Sequence, residues 1–244
     1  MRKIGIHIEK GGSGKTTTAG NVGFELSKRA RTLLVDCDPQ GNLSSWYITT
    51  PIEFDLSDVL QGRAKLEAAI VQVRSGLDVL PTIAINGDLK RWAETSPVQF
   101  DRAFGALVHD IEAQGYAYAV FDLSPGISSL ERSVLAQVDE IIGVVKAEYF
   151  SFDGLEVFKS ELDRLRSEYR VNPGSSRLVV NMISERLTLH ETYREQLKTQ
   201  GFQLFNVHNS VRVAETPTLH LAIAEHEPGG RAAEEFRALA EAIA

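Results

Sequence analysis

The chain is expected to adopt an α/β fold, a layered structure in which helices flank a mainly parallel sheet. Apolar runs rich in β-branched residues recur along the 244 residues. Most of these runs are continuous rather than alternating, as strands covered on both faces are. Helical patterns lie between them, and alternating strands and helices build a parallel sheet.

In chain order, KIGIHI (3–8) reads as the first strand and TTTAGNVGFELSKR (16–29) as the helix after it. TLLVD (32–36) and LDVLP (77–81) are the next strands. The stretch after Leu80, TIAINGDLKRWAETSP, is the least patterned and reads as a surface excursion or a partner-facing segment. FDRAFGALVHDIEAQG (100–115) is helical, and YAVFDL (118–123) and EIIGVV (140–145) are strands. LEVFKSELDRLRSEYR (155–170) is a helix, RLVVNM (177–182) a strand, HETYREQLKTQG (190–201) a helix, and RAAEEFRALAEAI (231–243) closes the chain. With no repeat, low-complexity tract or long Pro/Gly/Ser linker, residues 1–244 are expected to form one domain.

Hydrophobic residues make up 43% and charged residues 24%, ordinary values for a folded domain. No segment approaches the roughly 18–20 apolar residues of a membrane span, and MRKIGIHI is too short in its apolar part for a signal peptide. A cytoplasmic location is therefore expected. The single cysteine, Cys37, excludes an internal disulfide and cannot by itself hold a structural zinc ion. The formal net charge of -7 gives no global attraction to nucleic acid, so DNA binding would need a local basic patch.

EKGGSGKTTT (9–18) carries the chemistry. It lies between a predicted strand and a predicted helix, the context of a phosphate-binding loop. Gly11, Gly12 and Gly14 let backbone N–H groups turn inward around Ser13, and the following helix points its positive end at a phosphate. Lys15 would reach the β- and γ-phosphates, the Thr16 hydroxyl would ligate Mg²⁺, and Thr17 would bond the α-phosphate. The common pattern G-x-x-x-x-G-K-[ST] asks for glycine where Glu9 stands and leaves Lys10 unexplained.

Two strand ends add acids. LLVDCDPQGN places Asp36 and Asp38 after one strand, and AYAVFDLSPG places Asp122 after another. A carboxylate there can hold Mg²⁺ through water, the part that Asp122 fits best. Asp38, followed by Pro39 and Gln40, orients an attacking water or simply starts a turn.

The segments KGGSGKTTTAGN, LLVDCDPQGN, FDLSPG, AEYFSFDGL, VRVAETP and EPGGRAAEEFRAL together resemble the ParA family of partitioning ATPases, deviant-Walker relatives of MinD and nitrogenase iron protein. The resemblance runs over nearly the whole chain, and DPQGN is its most specific part. It implies a P-loop NTPase fold and an ATP- and Mg²⁺-dependent ATPase that dimerises with ATP. It makes Lys10 the signature lysine, a finger reaching the partner's ATP, a second cation of the kind that stabilises phosphoryl transfer. It makes Asp38 the hydrolytic acid, Asp36 an acid beside the magnesium or one step behind its ligands, Asp122 the Walker B residue, and Asn181 a residue near the adenine. His208, Asn209 and Ser210 depart from the family's proline, arginine and asparagine at those places.

The resemblance further implies non-specific DNA binding by the ATP-bound homodimer, nucleoid association, and stimulation by a ParB-like or other adaptor. Candidate DNA contacts are Arg164, Arg166, Arg186, Arg194, Lys198 and Arg212, although acids are interleaved with them. A few aligned cations suffice for weak phosphate-backbone binding. The strand of the phosphate loop begins almost at Met1, so a helix-turn-helix extension and operator recognition are not expected. The closing helix carries more acid than base beyond Arg231, which argues against a basic membrane anchor. The alternative function is a metabolic ATP-dependent ligase of the same fold, dethiobiotin synthetase-like or a cobyrinate amidase. A further reading gives the same switch a protein assembly as cargo.

Overall fold

Strand β1 (Arg2–His7) lies inside an eight-stranded sheet, between β5 (Tyr118–Asp122) and β6 (Glu140–Lys146), parallel to both. β2 (Thr32–Asp36) pairs with β5 and with β4 (Leu77–Leu80), and β7 (Gly174–Ile183) pairs with β6 and with β8 (Gln203–His208), all parallel. Only β3 (Val71–Arg74), at one edge, runs antiparallel, so the order is β3-β4-β2-β5-β1-β6-β7-β8. The structure is a computed structural model that describes residues 1–8, 11–84, 88–146, 159–160, 163–164, 166–167, 174–184, 195, 199 and 202–244.

Both faces of the sheet are covered, which explains the continuous apolar runs. Successive residues of a strand point to opposite faces. Leu33 and Val35 of β2 and Phe121 of β5 join one core with α3 (Leu56–Leu60), α4 (Leu66–Ala69), α5 (Asp88–Thr95), α6 (Pro97–Ala113) and α7 (Ser129–Leu135). Ile4 and Ile6 of β1, Leu34 of β2 and Val120 of β5 join the other core. That core includes α1 (Lys15–Ser27), α2 (Asn42–Tyr47), α9 (Ile223–His226) and α10 (Arg231–Ile243), and α8 (Val211–Leu219) precedes α9.

Besides the helices α2, α3, α4, α7, α8 and α9, which the sequence reading does not name, the structure differs from it in three places. The least patterned stretch contains α5, whose Leu89 and Ala93 are buried and whose Trp92 packs edge-on against Phe100. It is therefore in part core, although residues 85–87 lie outside the described ones. β3 and β8 are strands that the apolar runs did not mark. Both are sheet edges, where half-covered strands of mixed polarity suffice.

Helix α2 is fastened to its neighbours by one side chain. Trp46 is 1% exposed, its Nε1 donates to Leu221 O at 3.0 Å, and its carbonyl accepts from His220 Nδ1 at 2.8 Å. Its ring lies against Gly20 of α1 so closely that a Cβ there would sit 2.8 Å from Cη2. Tyr47 adds a bond from its hydroxyl to Gly20 O at 3.0 Å.

Candidate functional site

The carboxyl ends of β1, β2 and β5 meet at one place, where ligands of open α/β sheets bind. After β1 the chain turns through Gly12 and Gly14, with φ of 72° and 96°, and enters α1 at Lys15. Glycine is required at Gly14 because the backbone is left-handed and a Cβ would collide with the Asn181 amide. Gly11 and Gly12 are exposed, Ser13 and Lys15 are buried, and Thr16 and Thr17 are half-buried. The first turn of α1 directs its N–H groups to the loop, the arrangement that suits an anion.

Lys15 has a lowered pKa through burial, opposed by Asp122, Asp38 and Glu131 in that order. Three acids thus face one ammonium. Asp36 and Asp122 are register partners in adjacent parallel strands, so their side chains project to the same face. Asp122 is fully buried and its pKa is raised by burial and then by Asp36. The Thr16 hydroxyl pulls the other way, yet neither Asp122 oxygen completes a hydrogen bond of normal geometry.

Asp36 is arranged differently. Its Oδ2 accepts from Ser44 N at 2.8 Å and Ser44 Oγ at 2.6 Å, and its Oδ1 accepts from Asp38 N at 3.2 Å. Burial raises its pKa to about 7, against the pull of Ser44. Thr82 Oγ1 donates to Asp36 O at 2.6 Å, and Thr82 N donates to Ser44 Oγ at 2.9 Å. Asp36 Oδ1 therefore holds the Asp38 turn, and Oδ2 holds α2 through Ser44. Asp38 is 6% exposed, and its Oδ1 accepts from Gln40 N at 2.9 Å, so the turn expected of Asp-Pro forms and the carboxylate still reaches Lys15 electrostatically.

Asn181 was expected near an adenine. Its Nδ2 donates to Ser13 O at 2.7 Å and its Oδ1 accepts from Met182 N at 2.9 Å, so it braces the phosphate loop from β7. Beside it, at the ends of β7 and β8, a cavity is lined by Ile183, Ser184, His208, Asn209, Ser210 and Arg231 among others. Arg231 Nη2 meets His208 Nε2 at 2.7 Å, and His208 Nδ1 faces Glu235. The residues that depart from the family pattern thus form one wall of a cavity at the ends of β7 and β8.

Sequence reasoning missed Glu131, Ser44 and Thr82. Glu131 is 2% exposed and ties the segment after Asp122, accepting from Ser124 Oγ, Ser128 Oγ and, at 2.8 Å, Ser128 N. Its signal was present as S-x-x-E at Ser128–Glu131, a capping box.

Lys10, Arg186, Arg194 and Lys198 lie outside the described residues. Arg166 pairs with Asp163 at 3.0 Å and Arg212 with Glu215 at 3.2 Å, while Arg164 is helical and exposed. No group of three or more His, Cys, Asp or Glu suited to a metal occurs among the described residues. The donors here are instead oxygen atoms, the Thr16 hydroxyl and the two unpartnered Asp122 oxygens. Hard oxygen donors beside an anion site fit Mg²⁺ carried on a phosphate.

A family profile described as an AAA domain matches residues 1–173. Over 247 residues the chain is 31% identical to the chromosome-partitioning ATPase Soj of Thermus thermophilus, covering all of this chain and 95% of that one. The chain belongs to the ParA/Soj family of P-loop ATPases. MinD of Pyrococcus horikoshii, the septum site-determining protein solved with Mg-ADP, superposes with a TM-score of 0.82 at 21% identity, over 99% of this chain and 95% of that one. Cobyrinic acid a,c-diamide synthase of Mycobacterium smegmatis gives the same TM-score at 19% identity, over 99% and 93%. The two superpositions show the eight-stranded P-loop fold and do not separate a partitioning ATPase from a ligase. The sequence relatives do, on the side of partitioning. No described helix of this ParA/Soj-family ATPase is long and apolar enough to cross a membrane.

Proposed function

We propose that residues 1–244 form a single domain that binds and hydrolyses ATP with Mg²⁺ and works as a switch that positions DNA or another large cargo. The observation that carries this reading is the meeting of the phosphate loop, Lys15, Thr16, Asp38 and the unpartnered Asp122 at one end of the sheet. Gly11 to Thr17 wrap the triphosphate, with Lys15 neutralising it and Asn181 holding Ser13 in place. Thr16 and Asp122 would hold Mg²⁺, with Asp36 on the same face of the sheet beside Asp122. Mg²⁺ supplies charge neutralisation on the phosphates. Asp38 orients the attacking water, held there by Asp36 and the Gln40 amide.

Two ATP-bound subunits face each other, and each Lys10 reaches the other's phosphates. Dimerisation aligns basic residues, Arg212 among them, for non-specific DNA, and hydrolysis releases the complex. Turnover is slow until an adaptor of the ParB kind stimulates it, and the protein acts in the cytoplasm on the nucleoid. The relatives' names support this cargo class.

The test uses Asp38→Ala protein with non-specific duplex DNA, ATP–Mg²⁺ or ADP, and a salt series, with the mass in solution recorded. ATP-dependent dimers whose DNA affinity falls steeply with salt are expected. An ATP-bound monomer without DNA affinity would overturn the reading in favour of a ligase. Lys15→Ala is expected to abolish nucleotide binding.

A further inference from the structure

A buried polar atom without a partner costs stability and is uncommon in a folded protein. Among the described residues seven such side-chain atoms occur, and five of them belong to His7, Ser13 and Asp122. Ser13 and Asp122 are parts of the ATP site already proposed. His7 has no part in it so far.

His7 is the last residue of β1, 1% exposed, with both ring nitrogens unpartnered. Strand alternation sets its direction. Ile4 and Ile6 face the α1 side, while Gly5 faces Leu135 and Val138 on the α7 side, and His7 follows Gly5. Its register neighbour in β6 is Gly143, which offers no side chain. Burial, and then the Lys15 ammonium, hold the imidazole neutral. A neutral imidazole carries one donor and one acceptor. Two unmet bonds thus sit at the root of the phosphate loop, in the strand beside the one that ends in Asp122.

We propose that His7 is a positioning residue of the nucleotide site, whose imidazole gains hydrogen-bond partners from the ordered water brought in with a triphosphate and so favours the loaded over the empty loop. This rests on the reading of the loop as an ATP site. A bridging water needs two to four polar partners; His7 supplies two unmet atoms, and the Lys15 ammonium lies within electrostatic reach of them. Without such water these atoms only cost stability.

The consequence is an exchange between stability and affinity that a plain core residue does not show. His7→Leu removes the unmet atoms and keeps the bulk, whereas His7→Asn keeps a donor and an acceptor. Thermal melting without nucleotide and equilibrium binding of a fluorescent ATP analogue with Mg²⁺ are measured for parent, both variants and Lys15→Ala. His7→Leu is expected to melt at or above the parent temperature without nucleotide and to bind the analogue at least about tenfold more weakly. His7→Asn is expected to recover most of the affinity. A His7→Leu protein that fails to fold, melts lower, or binds the analogue like the parent would overturn the proposal. Failure of the parent itself to bind, with Lys15→Ala no different, would instead remove the ATP reading, and the His7 proposal with it.

Discussion

Gly14 and Asn181 set the shape of the phosphate loop together. An alanine at Gly14 would have to hold a left-handed backbone, costing about 1–2 kcal/mol, and would push the Asn181 amide off Ser13 O. Gly14→Ala is therefore expected to weaken ATP binding about tenfold or more, measured by nucleotide titration. His7 adds a pH signature. Its folded pKa is lowered to about 3, by burial and then Lys15, below the ordinary 6.5. Between those values the unfolded chain binds the extra proton, so the contribution of His7 to stability is whole above pH 6.5 and is lost as pH falls toward 3. The melting advantage of His7→Leu should accordingly widen as pH falls from about 7 to about 4, and a constant difference would contradict it. The glycines, Lys15 and Thr16 were legible because their meaning is local. The bracing by Asn181 was not, since it joins residues 168 positions apart. His7 left one trace, a polar residue inside the apolar run KIGIHI.

Helices α1 and α2 interlock through the absence of a side chain. Gly20 leaves room for the Trp46 ring, and any Cβ would overlap it. Gly20→Ala is expected to destabilise the protein by about 1–3 kcal/mol, read as a lower urea midpoint, because overpacking forces the ring or α1 to shift. Composition favours the opposite expectation, since alanine is the better helix former by about 1 kcal/mol. The sequence marked α1 and α10 through their apolar period and the central strands through runs buried on both faces. It missed β8, QLFNVH, where polar and apolar residues mix as an edge strand permits. It missed α5 because only Leu89 and Ala93 of its eight residues are buried.

For the whole molecule, net charge and the proposed DNA affinity pull in opposite directions. A chain of net charge -7 repels a polyanion at long range, so attraction must come from cations presented together. Arg212 is exposed near the start of α8 and engaged with Glu215. Arg212→Ala is expected to weaken binding evenly across DNA sequences and to make the salt slope shallower by about one unit for each phosphate it no longer neutralises. The fold class could be read from the sequence because strand and helix patterns alternate along the chain. The pairing of cations with acids such as Glu215 and Asp163 could not, because it depends on side-chain placement. Trp46, finally, gives the molecule an optical probe of its own. Its indole touches the helix that opens at Lys15, sits one short helix beyond Asp38, and is bonded to Leu221 just past α8. With Trp92, the second tryptophan, replaced by phenylalanine, the emission of a single buried indole would report nucleotide arrival, its hydrolysis and any movement of α8 in one cuvette, without a label.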